Sequence, residues 1–419
     1  MPPRVTLSTI KPSPVLPISA RVIALACLVL SAPCLAQTPE EVRRDAQMHL
    51  GPFYVTPRFA VKEFGVDTNV FHNDQARRDF TFTFTPAARI STPFGRRAVV
   101  TTTVATDVVY YQRYASERSI NPDVVLRSDI FLGRLQPFAE AGYLRTRQRP
   151  NSEIDARSLR QEQSFKGGAR MRFSSKTSVD VSVEQRDVDY AAEERFNDIQ
   201  LQETLNRRTH RRVLEAHYDA TPLTTFTLRG ESVRDRFEFS PLRDANSVAV
   251  IPGVEFKSRA LVSGHARIGF RRFSPISTTL SPFVGAVTSA SLTYTLQGST
   301  RFTFSADRDL TYSYERLQPY YVLNGIGLSI RRQVVGAFDV TAAVQRQRYG
   351  YRDLMLPGAT VDDLNRVDIV RGLSGSLGYR IGNTMRAGFG LTYRERESNS
   401  TRFRDYQGFR FITTLDYEL

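Results

Sequence analysis

Arginine and carboxylate residues recur at alternate positions through most of this chain, and that spacing limits the chemistry open to them. Arg127, Arg170, Arg172, Arg186, Arg229, Arg267, Arg271, Arg301, Arg331, Arg380, Arg386 and Arg394 fall on one parity of alternating segments. They are interleaved with Asp107, Asp129, Glu184, Glu215, Glu231, Glu255, Asp307 and Asp339. A period of two puts such residues on one face of a sheet. Guanidinium groups there offer flat, multi-donor contact to carboxylates or sugar hydroxyls. Opposite charges on neighbouring strands can also pair and hold a wet interior in shape. Both readings describe an electrostatic screen rather than a reaction centre, and the arginine excess tilts that screen towards anions.

Other chemistry finds little support. The histidines, His49, His72, His210, His217 and His265, contain no pair at metal-binding spacing beyond His210 and His217. Those two share neither a strand face nor a helix spacing. No Gly-x-Ser-x-Gly elbow or phosphate-binding Gly-rich loop is present. Cys27 and Cys34 both lie in the leader, so the mature chain has no thiol for a disulfide, a nucleophile or a metal. Neither cofactor, metal nor enzyme activity is expected. A barrel-embedded hydrolase remains a third reading, with no residue marked as its nucleophile. The formal charge of +14 is carried almost wholly by arginine, lysine occurring only at Lys11, Lys62, Lys166, Lys176 and Lys257. The basic residues are scattered singly rather than gathered in a stripe, which argues against nucleic-acid partners.

The elements that must position these residues follow from what alternates with them. Phe80, Phe82 and Phe84 are separated by Thr81, Thr83 and Thr85. Phe165, Ala169, Met171 and Phe173 oppose Lys166, Arg170 and Arg172, and Met385, Phe389, Leu391 and Tyr393 oppose Arg386, Thr392 and Arg394. One apolar face and one charged face, repeated along an exported chain, imply a closed barrel in a membrane, the charges facing the lumen. On the lipid side a mid-membrane arginine would cost about 2–4 kcal/mol. Arg308 and Arg371 break the parity and are assigned to rims or to a shifted register. A propeller or secreted sandwich would also alternate, but a propeller needs a blade repeat of about 40 residues, and none is found.

Residues 1–36 read as a cleaved signal peptide, with Arg4, Lys11 and Arg21, a short apolar run from Val22 to Leu30, and Cys34-Leu35-Ala36 at the cleavage site. Residues 37–52 form a periplasmic lead-in with a helical turn, and residues 53–419 the barrel. Nine strands are expected at 53–66, 78–91, 97–112, 122–135, 137–148, 160–173, 177–190, 208–220 and 223–237. Nine more are expected at 246–257, 260–273, 282–296, 299–313, 320–331, 334–349, 365–380, 384–396 and 406–418. Tight turns are placed at Thr92-Pro93-Phe94-Gly95, Gln136-Pro137, Ser174-Ser175-Lys176, Thr221-Pro222, Gln297-Gly298-Ser299 and Gly382-Asn383-Thr384. Longer polar loops lie between them at 149–159, 191–207, 238–245, 350–364 and 397–405, with 191–207 and 350–364 as candidates to fold inward. Short turns on one side and long loops on the other are how outer-membrane barrels are built, with both termini in the periplasm. Phe and Tyr are abundant at 27 and 18 and Trp is absent. Pairs such as Tyr110-Tyr111 and Tyr320-Tyr321 suit interfacial girdles.

The opening of the barrel reads Gly51-Pro52-Phe53-Tyr54-Val55-Thr56-Pro57-Arg58-Phe59, then Gly65-Val66-Asp67-Thr68-Asn69-Val70-Phe71. This resembles the outer-membrane β-barrel porins of bacteria often found with exopolysaccharide or capsule secretion systems. Gly65 and Asp67-Thr68-Asn69 make physical sense as a twist or bulge leading into the first outer loop. The family usually ends in an aromatic-rich strand, which Tyr417 fits, whereas Leu419 stands where Phe is commonest. The resemblance implies a passive channel, or an outer-membrane component that moves polysaccharide outward. The reading is therefore a porin-like channel in the cell outer membrane with an arginine-rich lumen passing polar or anionic solutes. Its alternative is the outer-membrane part of exopolysaccharide or capsule export. The expected partners are outer-membrane lipid and lipopolysaccharide, the barrel-assembly machinery and, for the alternative, polysaccharide-export components.

Overall fold

The computed structural model describes residues 38–46, 48–72, 75–258, 260–354, 364–382, 384–400 and 405–418. The expected signal peptide, Leu419, most of loop 350–364, Asn383 and residues 401–404 lie outside them. Eighteen antiparallel strands make the wall. The first nine are β1 Phe53–Asp67, β2 Asp79–Phe94, β3 Ala98–Tyr111, β4 Ser119–Ile130, β5 Leu135–Gln148, β6 Ser158–Arg172, β7 Thr177–Tyr190, β8 Arg207–Thr221 and β9 Thr224–Phe237. The second nine are β10 Ala245–Phe256, β11 Val262–Pro275, β12 Phe283–Leu296, β13 Thr300–Tyr312, β14 Tyr320–Gln333, β15 Phe338–Arg352, β16 Val367–Ile381, β17 Met385–Ser398 and β18 Tyr406–Glu418. Each pairs with the next, and β18 pairs back onto β1 from Arg58↔Glu418 to Asp67↔Arg410, which closes the wall into a ring. Strands can cross a bilayer in this way because closure leaves no free sheet edge along the ring.

The period of two holds around the ring. Phe165, Val181, Val183, Leu214, Phe226, Leu228, Val250, Phe270, Val284, Leu373 and Phe389 are exposed on the outer face, and the charged parity turns inward. Turns on one side are two to five residues long, from 222–223 to 257–261, whereas the loops opposite run from seven residues to the sixteen of 191–206. The tight turn expected at Gln136-Pro137 is corrected. Both residues are paired inside β5, Pro137 opposite Ala169, and the turn lies at 131–134 with Gly133 at φ 66°. Likewise β2 continues through Pro93 to Phe94, the turn beginning at Gly95. The lead-in holds the helix Pro39–Asp45, capped by Thr38 in a capping box with Glu41. Arg43 Nη2 donates to the Gly95 carbonyl (2.8 Å), tying this helix to the short-turn end.

The motif around Gly65 closes the barrel. A bulge between Val61 and Phe64, with Glu63 at φ 55°, shifts the register of β1 against β18. A Cβ on Gly65 would sit 1.9 Å from the Phe411 carbonyl oxygen, so only glycine lets the two strands meet here. Arg410 Nε donates to Asp67 Oδ2 (2.8 Å), Asn69 Nδ2 to the Gln407 carbonyl (3.1 Å) and Thr68 Oγ1 to the Phe409 carbonyl (2.9 Å).

The wall departs from a simple ring at one place. The β12–β13 ladder stops at Thr288↔Arg308, although β12 starts at Phe283 and β13 runs to Tyr312. Beyond it the β13–β14 hairpin leans inward. Tyr320 and Val322, whose parity would face lipid, are buried in a cluster with Phe273, Leu280 and Phe283. Arg308 stands where the ladder ends: its Nε donates to the free Ala286 carbonyl (3.0 Å) and its Nη1 to Asn324 Oδ1. Its parity exception therefore has a local cause. Arg371 sits on the outer face and pairs with Glu397 (2.8 Å) and Glu395 (3.5 Å).

Candidate functional site

Inside the barrel, residues from non-adjacent strands meet, because inward side chains on a curved wall converge. Arg267 on β11 reaches Glu215 on β8 (3.3 Å) and Glu255 on β10. Arg271 reaches Glu231 on β9 (3.1 Å) and Asp309 on β13 (2.9 Å), passing over β12. Arg229 joins the same belt through Glu231 (2.9 Å) and Glu215 (3.5 Å). Arg170 grips Asp180 (2.6 Å), which His217 also approaches (3.3 Å). Arg186 pairs with Glu184 (3.1 Å), and Arg127 with Asp129 (2.8 Å) and Glu140 (3.1 Å). Asp107 takes Thr85 Oγ1 (2.6 Å), Gln148 Nε2 (2.9 Å) and Lys62 Nζ (3.4 Å). Asp307 lies over Gly325, where a Cβ would meet its Oδ1 at 2.5 Å.

The remaining arginines divide between the two ends. Arg386 holds Asp339 with two bonds, of 3.0 and 2.6 Å. Arg331 donates to Thr341 Oγ1 (3.1 Å), while Arg301 and Arg380 are exposed towards the short turns and Arg172 is exposed at the end of β6. Arg394, near the long-loop end, donates to Ser152 Oγ (2.5 Å). The arginines of this parity are thus unevenly distributed along the wall. Through the middle Arg229, Arg267 and Arg271 each meet two carboxylates, while Arg301, Arg331, Arg380 and Arg386 cluster near the short turns.

Across the long-loop mouth lies a structure that the alternation pattern does not reveal. Loop 149–157, between β5 and β6, crosses to strands on the far side. Asn151 Oδ1 accepts from the Glu153 and Ile154 amides (2.9 and 2.7 Å), an Asx turn that aims the loop tip. Ser152 Oγ contacts Gln347 Oε1 (3.2 Å) on β15. Glu153 Oε1 accepts from Ser313 Oγ (2.5 Å), and its carbonyl accepts from Arg396 Nη1 (3.1 Å). Asp155 accepts from the Tyr406 hydroxyl and lies 2.7 Å from His72 Nδ1. Arg366 and Arg396 converge on Asp368 (2.5 and 2.6 Å) beneath the tip. Arg243 donates to the carbonyls of Ser313, Glu315 (2.7 Å) and Pro319 (3.2 Å), holding the turn 313–319 inside the mouth. Ile154 packs with Val188, Tyr190, Leu201, Leu205 and Tyr314, so loop 191–206 backs the crossing loop while 149–157 makes the crossing. The one signal in the sequence was Asn151 to Asp155, a lone isoleucine between two carboxylates in a polar loop.

Burial governs the charges here. It lifts the Glu153 carboxyl to about 7, against the opposing pull of Arg366, Ser313 and Arg396. Burial, with Arg149 alongside, pulls the His72 imidazole down to about 4 against Asp155. His72 is therefore neutral at physiological pH, and Glu153 is poised to titrate.

Comparison with known proteins places this architecture. The fold is similar to the outer membrane protein opdK from Pseudomonas aeruginosa, with a TM-score of 0.50 at 9% identity over 87% of this chain and 98% of that one. It is equally similar to OccAB3 from Acinetobacter baumannii, with a TM-score of 0.50 at 8% identity over 87% of this chain and 99% of that one. At such identities the likeness concerns fold alone. No curated protein sequence matches the chain. The family described as "Putative beta-barrel porin 2" matches residues 46–417, and the chain belongs to it.

Proposed function

We propose that this outer-membrane porin is a passive channel for polar and anionic solutes, narrowed at its outer mouth by loop 149–157 and the 313–319 turn. One observation carries the reading: a closed wall, apolar outside, encloses an inner face lined with guanidinium and carboxylate groups, the polar lining of an aqueous path. The termini would lie in the periplasm, since the lead-in helix is tied to the short-turn end. The polysaccharide-export reading draws on the motif at residues 51–71. Its sharpest residues, Gly65 to Asn69, are engaged in closing the barrel, which leaves that reading without a residue of its own. Purified protein in planar bilayers is expected to give discrete conductance steps with a reversal potential favouring chloride over potassium. Silence at every pH and voltage would reject the channel. Loss of surface polymer on deletion, with conductance absent, would favour export instead.

A further inference from the structure

On the inner wall near the short turns, two arginine pairs face each other directly. Arg301 on β13 is the register partner of Arg331 on β14, and Arg380 on β16 is the partner of Arg386 on β17. Between them, on β15, stands Asp339. Arg386 reaches it by lying flat across β16 at Gly378, where a Cβ would come within 2.1 Å of its Nη2. The positive neighbours acting on Arg331 are Arg386, Arg301 and Arg380, and the negative one is Asp339. Among the described residues, these four guanidiniums stand beside two carboxylates: Asp339, and Asp416, the register partner of Arg386 on β18.

Like charges directly opposed across a ladder destabilise a sheet. Higher on the inner wall, Arg267 and Arg271 are each set among carboxylates, Glu215, Glu231, Glu255 and Asp309. Near the short turns two facing arginine pairs stand close to Asp339 and Asp416 instead. An oxyanion held between the facing guanidiniums turns the repulsion into attraction, and the planar fork of arginine fits its oxygens.

We propose that Arg301, Arg331, Arg380 and Arg386 form an anion-binding site at the inner mouth, taking the phosphate or carboxylate group of a small solute. Asp339 fixes Arg386 in place and keeps the site from holding its anion too tightly to release it. The site's role in transport rests on the channel reading; its binding chemistry does not. Calorimetry on the detergent-solubilised full barrel, at low ionic strength, tests it with inorganic phosphate and with acetate as separate probes. Saturable binding of at least one probe is expected, weakened at least tenfold by Arg301→Gln and by Arg331→Gln. Arg371→Gln, on the outer face beside Glu395 and Glu397, should leave binding unchanged. Phosphate alone binding would assign the site to phosphorylated solutes, acetate alone to carboxylates. Heat-modifiable gel mobility confirms that each variant is closed, and Arg301→Lys, which keeps the charge, should retain part of the binding. No saturable heat with either probe, or equal loss in the Arg371 variant, overturns the site. Conductance of the same preparations separates the two readings: binding without conductance sinks the channel, conductance without binding sinks the site.

Discussion

Replacing Glu153 with glutamine should remove most of the pH dependence of the channel between pH 5 and 8. Glu153 sits at the tip of the crossing loop, 1% exposed, and its Oε2 is enclosed without a hydrogen-bond partner among the described residues. The charged groups around it are Arg366, Arg396, Asp368 and Arg243, with the hydroxyls of Ser313, Tyr314, Tyr321 and Tyr351. Docked, burial raises its carboxyl from an ordinary 4.5 to about 7. Swung out into water, the loop would restore the ordinary value. The docked state thus holds its proton more tightly, so docking is favoured fully below about pH 4.5 and loses that contribution as pH rises through 7. A shift of this size is worth about 3 kcal/mol, a few hundredfold in the ratio of docked to released loop. Wild-type conductance is expected to rise from pH 5 to pH 8 as the loop leaves the mouth. Glutamine mimics the protonated acid, so Glu153→Gln should stay in the low-conductance state throughout. Single-channel recording over that range, paired with hydrogen exchange of residues 149–157, reads both effects. If the variant titrates like the wild type, or if wild-type conductance falls as pH rises, the reasoning is wrong.

Two further outcomes concern stability. Arg243→Ala removes three carbonyl bonds from a buried guanidinium and should loosen the 313–319 turn by about 3 kcal/mol, seen as faster amide exchange there while the wall stays protected. Gly65→Ala drives a methyl into the Phe411 carbonyl at the closure and should cost about 2 kcal/mol or more. A smaller heat-modifiable fraction on refolding into detergent, restored by no change in lipid, is the expected readout.

Most of the wall was legible because lipid imposes the period of two on every strand, whatever its neighbours. Pro137 misled because proline signals a turn locally, yet at the start of a strand it can occupy a position in the ladder. The inward lean of β13–β14 was not legible, because it depends on Tyr320 and Val322 finding Phe273 and Phe283 on other hairpins. Parity groups these arginines on one face of their strands. It could not say which carboxylate each one meets, since Arg271 and Arg386 each pass over an intervening strand to reach their partners. Loop 149–157 was hidden for the same reason: Asp155 meets a tyrosine 251 positions away.

The joint between the ends of the wall has a consequence for biogenesis. Thr68 and Asp67 find their partners 341 and 343 residues further along, so no chain lacking its last strand can form these contacts. A truncated product would instead carry two raw sheet margins, each able to template pairing with another chain. The clasp at Gly65 thus doubles as proof of completeness, made only when the final segment has been delivered and threaded home.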